Sequence, residues 1–256
     1  MLSRVTELNA RLEKERLTPI QLTEALCARM WTGPMYVKYQ AILRGSGSEY
    51  QACLGNGYTT TLHCINSAVV KTSRLTTVTR VYRGVRAGYL PADFWAPNAY
   101  GVCGGIEAAF MSTTTDRDRA FEFAAAGGGA ELESGKPGVL LEIQQGMVNR
   151  GAGMKWCSQY EHEEELLFAP LAGLEVQSTR VEENVLIVSV SLSVNLMSAT
   201  LDQVISKRKK VVEDMVTHMT GSAVYNVHFA NGWEAVRSHH GTEVAVNIVK
   251  DALQHS

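Results

Sequence analysis

The pattern of apolar and polar positions along the 256 residues changes character near residue 75. Up to that point apolar residues recur at helical spacing, in "MLSRVTELNARLEKERL", "TPIQLTEALCARMWTG", "MYVKYQAILRG" and "YTTTLHCINSAVVKTSRL". Thr18 and Pro19 predict the start of the second helix, and Gly45 predicts the C-cap of the third. Residues 1–75 are therefore predicted to form a helical lobe.

From Leu75 onward the pattern becomes β-branched and alternating, which is typical of strands. "LTTVTRVYRGV" predicts a first strand and "IEAAFMSTTT" a second, with a Gly- and Pro-rich loop between them. Asp116 is predicted to cap a short helix, "DRDRAFEFAAA", and a loop, "GGGAELESGKPG", follows it. Three further strands are predicted, in "VLLEI", in "ELLFAP" through "LEVQSTRV", and in "NVLIVSVSLSV".

A helical block followed by many short strands favours an α+β fold over a parallel doubly wound sheet. We predict a β-rich core over 76–198 and a C-terminal helical appendage over 199–256, which splits at Gly221 and again around "ANGW". The four tryptophans, Trp31 among them, are predicted to be packing residues.

The composition of the chain argues against several classes of protein. The formal charge of −2 argues against a general nucleic-acid or membrane-surface binder, which would need a positive excess. The sequence contains no run of 18 apolar residues, so no membrane span is predicted. The opening residues do not resemble a secretory signal. The five cysteines show no CxxC spacing, so free thiols in a reducing, cytoplasmic location are expected.

An acidic run, "SQYEHEEELLFAP", stands directly before an apolar stretch. If Glu165 lies in a strand, Glu163 and Glu165 point to the same face and can share one ligand. A solvated acidic edge that discourages aggregation is an alternative. A calcium site is another, although no Asp-rich loop with a Gly turn accompanies the run.

Two other segments carry chemistry. In "VYRGV", Arg83 can bind a phosphate through two hydrogen bonds, and Gly84 lets a ligand approach the backbone. In "FMSTTTD", the hydroxyls from Ser112 to Thr115 can orient a neighbouring carboxylate.

Together and in this order, the three segments resemble the mono-ADP-ribosyltransferase family, in particular its arginine-directed branch. That family carries an arginine on the first core strand, a Ser-Thr-Ser-like triplet on the second and an acidic pair before a third. Here the matching residues are Arg83, Ser112-Thr113-Thr114 and Glu163-Glu164-Glu165, within a resemblance that spans Tyr58 to Leu196. Thr114 replaces the common serine, and Ala169 replaces a frequent proline.

The resemblance implies an ADP-ribosyltransferase-like split β-sandwich that uses NAD as co-substrate and no metal. Arg83 would then bind a phosphate of NAD, and Gly84 would offer its backbone to the nicotinamide amide. Ser112 would orient Glu165, which would hold the nicotinamide-ribose hydroxyl and stabilise the oxocarbenium cation. Thr113 would also contact the co-substrate.

The resemblance also implies an acceptor, the arginine side chain of a protein, with no nucleic-acid or membrane partner. Glu163 would orient the guanidinium and take its proton, and Tyr160 would contact the acceptor. Phe121 or Phe123 would lean on the nicotinamide, and Phe123 is the preferred candidate. Alternatively both lie on the apolar face of the short helix, which is favoured for Phe121. An NAD glycohydrolase and a catalytically silent binding module remain alternatives.

Overall fold

The computed structural model describes residues 1–85, 90–126, 138–160, 162–193, 200–207 and 209–213. The chain divides into two compact units, Met1–Leu201 and Asp202–Ser256. In the second unit, residues 202–207 and 209–213 are helical. The predicted loop over 127–137 and the tail predictions beyond 213 lie outside the described residues. No helix among the described residues has the length and apolar character that a membrane crossing requires.

The N-terminal block is helical, as predicted. Its helices are α1 (Leu2–Lys14), α2 (Leu22–Trp31), α3 (Tyr36–Arg44), α4 (Ser48–Ala52) and α5 (Thr59–Ser73). The prediction that α2 starts at Thr18 and Pro19 is wrong, because Gln21 and Glu24 form a capping box one turn later. Gly45 ends α3 in the left-handed conformation, at a φ of 66°, as predicted.

An ion pair joins α2 to α5 inside the lobe. Lys71 Nζ lies 2.8 Å from Glu24 Oε2, and both side chains are almost fully buried. The Ser67 hydroxyl also donates to Glu24. A buried charge is tolerated only when it is paired and hydrogen-bonded, so these contacts fix the two helices relative to each other.

The strands are β1 (Arg80–Val85), β2 (Gly104–Glu107), β3 (Met111–Thr114), β4 (Gly138–Gln144), β5 (Ala152–Gly153), β6 (Glu165–Phe168), β7 (Ala172–Glu182) and β8 (Val185–Ser193). They form one sheet in the order β2-β7-β8-β4-β1-β3-β6-β5, in which β4 and β8 run parallel and the other pairs are antiparallel. The α+β prediction is confirmed.

The helical block and the sheet share a hydrophobic core. Apolar side chains from α1, α2, α3 and α5 pack with residues of the strands β5 and β6 and of the segment before β3, including Phe110, Ala152 and Leu167. The N-terminal helices therefore contribute to the same core as the strands that carry the motifs.

Two predicted strands are each divided in the structure. "IEAAFMSTTT" separates into β2 and β3 because the Glu107 carboxylate accepts a hydrogen bond from the Ala109 N–H (3.1 Å) and the chain turns. β2 then pairs with β7, whereas β3 pairs with β1 and β6. The segment from "ELLFAP" to "LEVQSTRV" breaks between β6 and β7, where Pro170 lacks an N–H and Leu171 has a φ of 65°.

Two short helices, α6 (Ala92–Trp95) and α7 (Arg117–Ala125), lie among the strands. Asp116 caps α7 by accepting a hydrogen bond from the Arg119 N–H (3.0 Å), as predicted. α7 packs so closely on β1 that a Cβ at Gly84 would lie 2.3 Å from the Ala120 carbonyl oxygen. Helix packing therefore requires glycine at this position, and the predicted approach of a ligand to the Gly84 backbone stays a prediction.

Candidate active site

Ser112 and Glu165 lie on adjacent antiparallel strands. Thr114 of β3 stands opposite Glu165 of β6, and Ser112 stands opposite Leu167. Side chains two residues apart on a strand share a face, so Ser112 is the diagonal neighbour of Glu165. The Ser112 hydroxyl acts on the Glu165 carboxyl group as a hydrogen-bond donor does, by lowering its pKa. The structure therefore brings together two residues that are 53 positions apart in the sequence.

Arg83 reaches the same pair of strands from β1. Its Nη1 donates to the Ser112 carbonyl oxygen (2.9 Å), and its Nη2 lies 3.8 Å from Glu107 Oε2. Burial lowers the pKa of Arg83, while the Glu107 carboxylate acts in the opposite direction. Arg83 is thus joined by a direct hydrogen bond to the strand that carries Ser112.

Two residues around Arg83 were not singled out from the sequence. Arg44, at the end of α3, donates to both carboxylate oxygens of Glu107, from Nη2 at 2.9 Å and from Nε at 3.2 Å. Glu107 therefore lies between two guanidinium groups. No motif marked either residue, because a helix-terminal arginine and a strand-terminal glutamate are common surface features.

A third residue reaches Glu165 from the helical lobe. The Trp31 indole Nε1 donates to Glu165 Oε1 at 3.3 Å. Trp31 is 3% exposed, so it packs as predicted, but its polar nitrogen also faces the carboxylate. The spacing of apolar residues in α2 gave no sign of this second role.

The environment of Glu165 favours the protonated form of its carboxyl group. Burial is the largest effect and raises the pKa of Glu165, and the charge of Glu163 raises it further. The hydrogen bonds from Ser112 and Trp31 and the charge of Arg83 lower the pKa. The net shift of the pKa is upward. Within the described ranges, no cation lies at ion-pair distance from this carboxylate. When the Glu165 carboxylate is ionised, neutral donors orient it, and no cation of the described residues neutralises its charge.

Glu163 lies near Glu165 for a different reason from the one predicted. β6 begins at Glu165, so strand alternation does not extend to Glu163. Instead the Glu163 N–H donates to the Tyr160 carbonyl oxygen (3.1 Å), which closes a turn. Glu164 faces elsewhere: its carboxylate accepts from the Thr115 hydroxyl (3.2 Å) and lies 3.8 Å from Lys155 Nζ.

The aromatic residues of the prediction lie in distinct environments. Tyr160 is 47% exposed, with its ring edge-on to His162. Phe121 packs beneath the Arg117 guanidinium (5.7 Å) and against the core. Phe123 is 47% exposed, and its Cδ1 is 3.2 Å from where a Gly84 Cβ would be.

Thr113 does not share the face of Ser112. Its hydroxyl is buried and donates to the Leu166 carbonyl oxygen at 2.9 Å. Successive residues of a strand point to opposite faces, so the Thr113 side chain is directed away from Glu165. The Thr113 hydroxyl therefore joins β3 to β6, and a contact of this residue with the co-substrate stays a prediction.

The fold of this chain resembles that of solved structures. The chain resembles the ADP-ribosyltransferase Vis in complex with agmatine, with 20% identity over 77% of this chain and 88% of that one, at a TM-score of 0.52. It also resembles the Vis toxin of Vibrio splendidus, with 19% identity, the same two coverages and a TM-score of 0.51.

The chain has the fold of an ADP-ribosyltransferase. The resemblance predicted from the three motifs is confirmed at this level. Neither a comparison with protein-family profiles nor one with curated proteins finds a match.

Proposed function

We propose that this protein is an NAD-dependent mono-ADP-ribosyltransferase that modifies arginine side chains of a protein. One observation carries the proposal: Glu165 is partly buried, is oriented by Ser112 and Trp31 with no cation of the described residues paired to it, and is accompanied by Glu163. The ADP-ribosyltransferase fold supports it, because the three motifs occupy strands of that fold in the expected order.

On this proposal, Arg83 binds a phosphate of NAD. A guanidinium can donate two parallel hydrogen bonds to phosphate oxygens, and among the described residues one carbonyl, that of Ser112, accepts from Arg83, at Nη1. The 3.8 Å separation from Glu107 leaves the other nitrogen with a weak ion pair that a phosphate can replace. Gly84 offers a backbone group, and the half-exposed Phe123 beside it offers an apolar ring to the nicotinamide.

Glu165 supplies the catalytic carboxylate. The bond between the anomeric carbon and the nicotinamide nitrogen breaks, and its electron pair leaves with nicotinamide. Positive charge develops at the anomeric carbon, and a fixed carboxylate stabilises that charge more than it stabilises the ground state. Since Ser112 and Trp31 are neutral donors, they orient the carboxylate without cancelling its charge.

Glu163 acts on the acceptor. A nitrogen of the arginine guanidinium forms the new bond to the anomeric carbon, and the proton it loses passes to Glu163. A guanidinium is a poor nucleophile while protonated, so a carboxylate beside it is needed. The exposed Tyr160 lies in the same turn and can contact the acceptor. Agmatine, the compound in the Vis complex, supports an arginine-like acceptor.

An NAD glycohydrolase is the second candidate. Glu163 and Tyr160 lie in a turn outside the sheet, where water has access to the acceptor side. Water would then attack the anomeric carbon in place of the guanidinium and give free ADP-ribose. Cleavage of NAD would still depend on Glu165, so only the products separate the two functions.

The deciding experiment is incubation with labelled NAD and agmatine, followed by separation of the products. We expect ADP-ribosyl-agmatine from the native protein. Glu163→Gln should lose transfer while retaining nicotinamide release, and Glu164→Gln, the matched control, should retain both, because Glu164 faces Lys155 and Thr115.

Three results would contradict parts of this proposal. Free ADP-ribose as the sole product would replace the transferase with the glycohydrolase. Transfer that survives Glu163→Gln would refute the role of Glu163. The absence of nicotinamide release under every condition would leave only a binding module.

A further inference from the structure

The helical lobe reaches into the candidate active site through one side chain, Trp31 at the last position of α2. We propose that Trp31 is a positioning residue for Glu165, which it holds in its working orientation through the indole N–H. The consequence for catalysis rests on the proposed function, whereas the hydrogen bond itself can be tested without any activity.

The Trp31 ring has little freedom to turn away from Glu165. It is 3% exposed and packs against the Phe110 ring at 5.1 Å between centroids, and against the Tyr36 ring at 6.2 Å. An indole nitrogen is a donor only, so the 3.3 Å contact with Glu165 Oε1 has a fixed direction. The hydrogen bond favours the ionised carboxylate, which is the form that the proposed chemistry needs.

Neighbouring residues of α2 hold Trp31 at this place. Arg29 Nη1 donates to the carbonyl oxygens of Cys157 (3.1 Å) and Ser158 (3.2 Å). The Gln159 N–H donates to Thr32 Oγ1 (3.1 Å), and the Gln159 side chain donates to the Arg29 carbonyl oxygen (3.0 Å). The end of α2 is thus bound to the segment that leads into Glu165.

The other end of α2 is also fixed. Glu24, in its first turn, forms the buried ion pair with Lys71 of α5. A helix held at both ends is a rigid support for a side chain, and rigid support is what a preorganised catalytic group requires. The contacts therefore form a continuous path from α5 through α2 to the Glu165 carboxylate.

The chemical type of the donor matters as well as its position. A lysine or arginine in place of Trp31 would orient Glu165 but would also neutralise the charge that acts on the developing cation. An indole N–H orients the carboxylate and leaves its net charge intact. A bulky, apolar ring also keeps water from one side of the carboxylate, in agreement with the burial that raises the pKa of Glu165.

The test compares Trp31→Phe with Trp156→Phe. The first removes the indole N–H and keeps an aromatic ring against Phe110. The second, the matched control, removes a buried indole nitrogen that has no hydrogen-bond partner in the part of the chain that the structure describes. The readout is the NMR titration of the 13C-labelled Glu165 carboxyl group, assigned by its loss in Glu165→Gln. We expect Trp31→Phe to move the titration to higher pH, because a donor to the charged form is lost, and Trp156→Phe to leave it unchanged.

Kinetics provide the catalytic readout. In Trp31→Phe the acid limb of the kcat profile for nicotinamide release should move in the same direction as the titration. The kcat value should fall about tenfold, as for the loss of one hydrogen bond to a charged group, with a small change in KM for NAD. Hydrolysis and transfer should fall together, because both depend on Glu165.

The outcomes separate the two proposals. If the native protein does not cleave NAD, the proposed function fails, yet the titration still decides the role of Trp31. An unchanged Glu165 titration in Trp31→Phe, or an equal shift in Trp156→Phe, overturns the positioning role. Should Trp31→Phe fail to fold, the 15N-labelled indole resonance of Trp31 in the native protein replaces it. That resonance must follow the Glu165 titration and lose this dependence in Glu165→Gln; a resonance that ignores pH also overturns the proposal.

Discussion

Two glutamates on strands of the same sheet have opposite electrostatic environments. Glu142 of β4 receives two hydrogen bonds from Arg180 (2.7 and 3.0 Å) and a longer one from Arg117 (3.4 Å). The Arg180 hydrogen bond is the main cause of a lowered pKa of Glu142. Glu165 of β6 receives hydrogen bonds from an indole and a hydroxyl, and burial raises its pKa.

On the proposed function, the same side chain serves structure at Glu142 and chemistry at Glu165. Glu142 is 7% exposed, and its charge is already matched by the two arginines, so it has little left to offer a ligand. Glu165 is held in place by groups that carry no charge, which leaves its own charge available to a developing cation. The four predictions below test this contrast, from the largest expected effect to the smallest.

Glu165→Gln should reduce NAD cleavage by about 10²–10³-fold, the range seen when a preorganised electrostatic group is removed. The amide can still accept hydrogen bonds from Trp31 and Ser112, so the fold should survive the change. Nicotinamide release and thermal unfolding should be measured on the same preparation. A variant that keeps more than a tenth of the native rate would refute the catalytic role of Glu165.

Glu142→Gln should leave activity largely intact and destabilise the fold by about 2 kcal/mol. Hydrogen bonds to a charged group are lost, while the positive charges of Arg117 and Arg180 remain close to each other. Both arginines are partly exposed, which keeps the loss below that of a fully buried pair. Urea unfolding gives the free energy, and kcat for nicotinamide release should stay within about twofold of native at a temperature where the variant is folded. A large fall in kcat would contradict a purely structural role.

The neighbouring hydroxyls of Ser112 and Thr113 on β3 offer a second comparison between a proposed catalytic role and a structural role, with smaller expected effects. Thr113→Val removes the buried hydrogen bond to the Leu166 carbonyl oxygen and should cost about 1 kcal/mol of stability, with little change in KM for NAD. Ser112→Ala removes the hydroxyl that contacts Glu165 and should lower kcat instead. A raised KM for NAD in Thr113→Val would support the predicted contact of Thr113 with the co-substrate.

The smallest effect is on the pH dependence of stability, where the two glutamates should have opposite signs. The pKa of Glu165 is raised in the folded state, so its stabilising contribution is present below the ordinary carboxyl pKa and is lost as pH rises through the raised value. Glu165→Gln should therefore unfold at a slightly higher Tm than native at neutral pH, by about 1–3 °C, and lose this advantage in acid.

For Glu142 the contribution is present above the ordinary carboxyl pKa and is lost as pH falls through the lowered value. The Tm deficit of Glu142→Gln should accordingly shrink in acid. Differential scanning calorimetry of both variants between about pH 2 and pH 8, a range that extends below the ordinary carboxyl pKa, measures the two trends. Trends of the same sign would mean that the contrast between the two glutamates is not electrostatic.

Much of the local structure could be predicted because its causes are local. Asp116 at the start of α7 and Gly45 after α3 act through backbone contacts within a few residues. The strand divisions at Glu107 and Leu171 were missed, since a carboxylate that turns back to its own backbone and a positive φ leave no mark on the apolar pattern.

The site itself was predicted in part. Arg83, Ser112 and Glu165 could be picked out because their order along the chain matches a family signature, and the fold brings them together. Trp31 could not, since its contact with Glu165 spans 134 residues and depends on how α2 packs on the sheet. Arg44 and Glu107 could not for the same reason.

The sequence by itself determined which side chains are present, their order on the strands and the caps and turns that surround them, because these follow from neighbouring residues. Only the tertiary structure decided which of the acidic residues is matched by cations and which is left to neutral donors. The reason is physical: burial and electrostatic environment arise from groups that are distant along the chain and meet only when it folds. Glu142 and Glu165 are the same residue type on strands of one sheet, and packing gives them different electrostatic environments.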